Sequence, residues 1–142
     1  MGIEGWQQWD PQDPQPTPKN NRTILVIDDE EAFCDVVCEI LEASGYFPLH
    51  AHTAAQAIEI LRDQTPDLIL SDVMMPDVDG LTFIQQLRLN PLWSEIPIIV
   101  VSAKATPADQ DAARSVGADG YLVKPFSTAD LELTIANALA EA

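Results

Sequence analysis

Residues 68–80 read Leu-Ile-Leu-Ser-Asp-Val-Met-Met-Pro-Asp-Val-Asp-Gly. Leu68–Ser71 is a short apolar run of the kind that a parallel sheet buries on both faces. It stops on Asp72, and Pro76, Asp77, Asp79 and Gly80 then supply turn chemistry. A carboxylate at the end of a buried strand is expensive unless that end has a use for it. What surrounds position 72 therefore decides both fold and chemistry.

Upstream, Thr23–Ile27 is another continuous β-branched and apolar run, read as a strand buried on both faces. A helix follows over about Glu31–Ser44, with Phe33, Val36, Val37, Ile40 and Leu41 spaced as one apolar face, and Gly45 closes it. Tyr46–Ala51 predicts a second strand. Pro48 inside it cannot donate a ladder hydrogen bond, which places this strand at an edge. Thr53-Ala-Ala-Gln56 reads as a capping box opening a helix to about Gln64.

Downstream, a helix spans about Leu81–Leu89 and stops before Asn90-Pro91, and Ile96–Val101 gives a fourth strand. Thr106-Pro107 opens a fourth helix that Gly117 ends. Gly120–Val123 is the fifth strand, and Ser127 with Asp130 opens the last helix. Five strand–helix repeats with short connections predict a five-stranded parallel sheet with helices on both faces, an α/β fold. With the second strand at an edge, the strand order is 2-1-3-4-5.

The 142 residues suit one domain. Residues 1–21 hold four of the eleven prolines and no periodicity that would bury a face, so they read as a flexible Pro-rich tail, with Trp6 and Trp9 available for docking. The 23 acids against 7 Lys and Arg give a net charge of −16, which argues against direct nucleic acid binding and against anionic membranes. Cys34 and Cys38 fall on one helical stripe and read as core packing rather than a zinc site. No apolar run reaches membrane-spanning length and no signal peptide is present, so a cytoplasmic location is expected.

In open parallel sheets the chemistry sits beyond the carboxyl ends of the strands. Here those ends carry Asp28-Asp29-Glu30-Glu31, Asp72, Ser102 and Lys124-Pro125. Adjacent strands are about 4.8 Å apart, so Asp28, Asp29 and Asp72 can form one cluster. Carboxylates that close call for a cation, and a hard divalent ion such as Mg²⁺, with Mn²⁺ as a substitute, suits oxygen donors. The same acids would repel a flavin or nucleotide phosphate. Asp77-Val-Asp79-Gly80 mimics part of a calcium loop, but its first and last ligand positions would be Met75 and Gln86. Lys124 can return its ammonium over the acids and Ser102 can donate a hydroxyl hydrogen bond, which together suit phosphoryl transfer to Asp72. Glu30 and Glu31 are explained by the helix dipole, and Asp77 and Asp79 by the turn. His50 and His52 flank the edge strand away from the acids.

The segments ILVIDDEE, LILSDVMMPDVDG, IPIIVVSA and GADGYLVKPF, in this order, make residues 22–142 resemble a response-regulator receiver domain of two-component signalling, with a flavodoxin-like fold. The resemblance implies that Asp72 is the phosphoacceptor, and that Asp29 binds Mg²⁺ directly and Asp28 through water, with the Met74 carbonyl as a further ligand. It implies a switch pair, Ser102 and Tyr121, and a cis bond between Lys124 and Pro125. Met75 and Pro76 would shape the loop after the acceptor, and Gly80 would let the backbone turn. The resemblance also implies that Met74 and Lys104 occupy positions that tune the lifetime of the phosphoryl group. The partners implied are a sensor histidine kinase or histidine phosphotransfer protein and a downstream protein or output domain. Such a domain is a signalling phosphoacceptor rather than an enzyme acting on others. A phosphorylation-independent scaffold on the same fold would have lost an acid or the lysine. A phosphatase with an aspartyl nucleophile would need an acid where Met74 stands.

Overall fold

The computed structural model describes residues 22–141; the tail expected over residues 1–21 lies outside them. The elements alternate: β1 (Thr23–Ile27), α1 (Glu31–Ala43), β2 (Phe47–Ala51), α2 (Ala54–Asp63), β3 (Leu68–Asp72), α3 (Gly80–Leu89), β4 (Ile98–Ser102), α4 (Pro107–Ser115), β5 (Gly120–Val123) and α5 (Thr128–Glu141). All strand pairs are parallel and the order is β2-β1-β3-β4-β5, as the alternation and Pro48 require. The order reverses between β1 and β3, so a crevice opens beyond their carboxyl ends.

Alternate residues of the buried strands feed two cores. Leu25, Ile27, Ile69, Ile98 and Val100 meet Leu61 of α2, Phe83, Ile84 and Leu87 of α3 and Ala113 of α4. Ile24, Val26, Leu68, Leu70, Ile99 and Val101 meet Cys34, Val37 and Leu41 of α1 and Leu131 and Ile135 of α5. The apolar strand runs are thus covered on both faces, and every residue of β3 and β4 is buried. Gly45 (φ 93°) and Gly117 (φ 105°) end α1 and α4 in the left-handed region, where only glycine is free of a Cβ penalty.

Two local expectations change here. The buried stripe of α1 is Cys34, Val37 and Leu41, with Phe33, Cys38 and Ile40 at its margins, whereas Val36 is 56% exposed. At about 100° per residue, Val36 lies roughly 130° from the centre of that stripe. The two cysteines are free and packed, as read from the sequence. β4 starts at Ile98 rather than Ile96, because Pro97 has no N–H to give; its carbonyl instead accepts from Ile69 N.

The capping box at α2 is not closed on itself. Thr53 accepts from Gln56 N, but Gln56 accepts from His52 N rather than from Thr53. The first two helical N–H groups, on Ala54 and Ala55, instead go to the two oxygens of Asp77, twenty-odd residues away. Asp77 is therefore a long-range cap and Asp79 the N-cap of α3, accepting from Thr82 N, so neither is only a turn residue.

Candidate functional site

Asp28 follows β1 directly and Asp72 is the last residue of β3. Both are buried, at 1% and 8% exposure, while Asp29 is exposed. One carboxylate oxygen from each of the three lies within 4.8 Å of the others. Opposite ligands of an octahedral Mg²⁺ stand about 4.2 Å apart, so this all-oxygen donor set fits a hard divalent ion with an open side toward water.

Each buried acid is held from the backbone. Asp28 Oδ1 accepts from Glu30 N at 2.9 Å and Asp72 Oδ1 from Met74 N at 3.0 Å. These bonds fix where the remaining oxygens point. Burial pushes the Asp72 carboxyl above the usual carboxylate range; the Met74 N–H pulls it back, and the nearby charge of Asp28 adds to the rise.

Lys124 comes from the loop after β5, where its N–H donates to Ser102 O at 2.8 Å and its bond to Pro125 is cis. Its Nζ reaches back to 2.8 Å from Asp28 Oδ2 and 3.4 Å from Asp72 Oδ2. Burial alone would lower its pKa, but the hydrogen bond to Asp28 and the two carboxylate charges outweigh that and raise it. The side chain stays an ammonium over the acids.

Ser102 ends β4 and is buried; its Oγ accepts from Lys104 N at 3.1 Å. Tyr121 of β5 is half-buried and its hydroxyl donates to Lys104 O at 2.9 Å. The backbone of Lys104 thus ties the two expected switch residues together. The Met74 side chain is 61% exposed beside Asp72. Glu30 and Glu31 are exposed at the start of α1, with Glu31 in its first turn.

Gly80 plays a different part from the one expected. Its φ is not positive; rather, a Cβ there would stand 2.5 Å from Val73 Cα and 2.6 Å from the Asp72 carbonyl oxygen. The start of α3 lies against the strand tip itself, and Gly80 N donates to Val73 O at 2.9 Å. Other neighbours were not singled out in the sequence. The Phe33 ring lies 4.0 Å from Lys124 Nζ and stacks edge-on against Phe126. The ring of His52, expected to stand apart from the acids, has Nδ1 3.0 Å from the Asp28 carbonyl oxygen. Phe33 looked like one more residue of an apolar helical stripe, and nothing in that pattern announces a ring under a distant lysine.

A doubly wound sheet with three acids, a lysine and a hydroxyl at its switch point defines a class of signalling receiver. Residues 24–136 match the response regulator receiver domain family, and the chain belongs to it. It is 36% identical over 110 residues to the phosphate regulon transcriptional regulatory protein PhoB of Escherichia coli, covering 78% of this chain and 48% of that protein. The chain therefore spans about half the length of such relatives. Its fold superposes on a putative response regulator from Chloroflexus aurantiacus with a TM-score of 0.80 at 29% identity, covering 84% and 98% of the two chains. The receiver domain of a Pseudomonas aeruginosa sensor histidine kinase, solved with a magnesium ion coordinated in its active-site cleft, is similar with a TM-score of 0.77 at 27% identity, covering 84% and 98%. The chain is thus a receiver domain of the kind found in response regulators of two-component systems, with an acidic pocket suited to Mg²⁺. Among the described residues, no helix is long and apolar enough to cross a membrane.

Proposed function

We propose that the protein takes a phosphoryl group from a phosphohistidine of a sensor histidine kinase or histidine phosphotransfer protein onto Asp72. A carboxylate oxygen of Asp72 attacks the phosphorus in line; the P–O bond forms as the P–N bond breaks, and the imidazole leaves. Asp28, Asp29, Asp72 and the Met74 carbonyl would hold Mg²⁺, or Mn²⁺ in its place. When bound, the ion offsets charge on the phosphoryl oxygens. Lys124 supplies a second positive charge and the Ser102 hydroxyl a hydrogen bond to the same oxygens. The observation that carries this reading is a buried carboxylate at a strand tip, 3.4 Å from an ammonium and clustered with two further acids.

Phosphorylation then biases the contact of Ser102 and Tyr121 through Lys104, altering the face of α4, β5 and α5 that a downstream protein or output domain reads. The protein catalyses only its own phosphorylation and dephosphorylation, in the cytoplasm, without contacting nucleic acid itself. The test is incubation with acetyl phosphate and Mg²⁺, followed by intact mass. One added phosphoryl group, absent in Asp72→Asn, is expected. No adduct, or an equal adduct in Asp72→Asn, overturns the reading.

A further inference from the structure

We infer that Phe33 is a positioning residue for Lys124, holding the ammonium over the acid cluster through the face of its ring. The inference rests on the phosphoacceptor reading above. Lys124 Nζ has three neighbours of note: Asp28 Oδ2 at 2.8 Å, Asp72 Oδ2 at 3.4 Å and the Phe33 ring centroid at 4.0 Å. The first two are charged, and the reaction engages both. A divalent ion, when bound, would draw on the oxygens of Asp28 and Asp72, and phosphoryl transfer would turn Asp72 into an acyl phosphate. The ring is the one neighbour that the chemistry leaves unchanged.

The ring is itself well placed to act as a fixed wall. Phe33 sits in the first turn of α1, half-buried, and Phe126 meets it edge-on with centroids 5.9 Å apart and planes at 87°. Phe126 comes two residues after Lys124, so the same loop carries both the cation and the ring that braces its platform. A ring face carries partial negative charge and attracts a cation most where water is excluded. The Lys124 side chain is only 20% exposed. Phe33 thus guides the ammonium toward an incoming phosphoryl oxygen while the carboxylates are being occupied.

The test separates ring electronics from packing. Phenylalanine carrying one, two or three ring fluorines is placed at position 33 alone; shape is nearly kept while the ring face loses its negative charge. The initial rate of phosphorylation by acetyl phosphate with Mg²⁺ is read by intact mass. A stepwise fall, reaching roughly five- to thirtyfold at three fluorines, is expected from the usual strength of such contacts. Phe33→Leu should fall as far, and Phe33→Tyr should recover most of the rate. In the unphosphorylated protein, the Lys124 Hε protons should show an upfield ring-current shift that Phe33→Leu abolishes and Phe33→Tyr restores. A rate that ignores fluorination, with the adduct still formed on Asp72, overturns the inference alone. Absence of any adduct in the unsubstituted protein overturns the phosphoacceptor reading and this inference with it.

Discussion

Replacing Gly80 with alanine tests how the strand tip is held. The new Cβ would stand 2.5 Å from Val73 Cα and 2.6 Å from the Asp72 carbonyl oxygen. Ordinary contacts between carbon atoms fall at about 3.5–4.0 Å, so the start of α3 and the end of β3 must separate by about 1 Å. Both obstructing atoms are backbone, and neither can rotate away. Overpacking of this kind costs about 1–3 kcal/mol, and the rigid contact puts Gly80→Ala near the upper end. The displaced segment carries Asp72 with it, and an error of about 1 Å at a reacting group can cost about 10²-fold in rate. Urea unfolding gives the first quantity and the initial rate with acetyl phosphate the second. Gly45→Ala serves as a control: at φ 93° it should cost about 1–2 kcal/mol from backbone strain yet leave the rate per folded molecule unchanged. A Gly80→Ala protein within about 0.5 kcal/mol of the parent and phosphorylated at the parental rate would refute the argument, since mutational noise alone spans that range.

Other perturbations read other parts of the fold. Asp77→Ala removes the acceptor for Ala54 N and Ala55 N, and should cost about 1 kcal/mol in urea unfolding. Those bonds hold the Asp77 pKa below the usual value, so its contribution should be present at neutral pH and fade as pH falls through the lowered pKa; an unchanged midpoint at pH 7 would remove Asp77 as a cap. Arg88 donates to Gly117 O, Ser94 O, Ile96 O and Asp119, so Arg88→Ala should cost about 2–4 kcal/mol through lost charge-assisted bonds and the carbonyls left behind. Its phosphorylation rate per folded molecule should match the parent. Asp72 has its folded pKa raised by burial, so in metal-free buffer the parent loses stability as pH rises from the ordinary carboxylate value through that raised pKa. Asp72→Asn should therefore gain on the parent across that window, and a difference that is flat with pH would show that Asp72 is not strained. Met74 offers no group to place an attacking water, so the phosphoryl group on Asp72 should be long-lived; decay within seconds, followed by mass after donor removal, would contradict this.

The sheet was legible because both of its codes are local. Buried strands show as unbroken apolar runs, and Gly45, Gly117, Thr106-Pro107 and Pro48 punctuate them with residues whose backbone chemistry allows few alternatives. The acids and Lys124 were legible for a related reason: in a parallel sheet the strand ends converge, so four separate sequence positions reduce to one place. What escaped were contacts made between elements without any periodic trace. Asp77 caps a helix that precedes it in sequence by more than twenty residues. Gly80 is small because of Val73 and Asp72 rather than because of its own φ. Cys34 reads as core packing but apart from the apolar face of Phe33, Val36, Val37, Ile40 and Leu41, and including Val36 in that face turns its centre away from Cys34, Val37 and Leu41.

The charge balance of the cleft explains why its parts act together. Three carboxylates and one ammonium leave it two charges negative when all are ionised. Burial already raises the Asp72 pKa, which means the cleft resists its own full ionisation. An acyl phosphate carries up to about two negative charges where the carboxylate carried one, so the phosphorylated cleft is more negative still. Lys124 cannot offset both, and its two carboxylate contacts are those the new group disturbs. On the proposed reading, a divalent cation should therefore favour phosphorylation, and by linkage the phosphoryl group should tighten cation binding by the same factor. Asp29 is exposed and is the acid that can adjust as that cation arrives, whereas Asp28 and Asp72 are pinned by Glu30 N and Met74 N. On the proposed reading, the rigid pair would set where the phosphoryl group is made, and the exposed carboxylate and the lysine above Phe33 would absorb the change in charge.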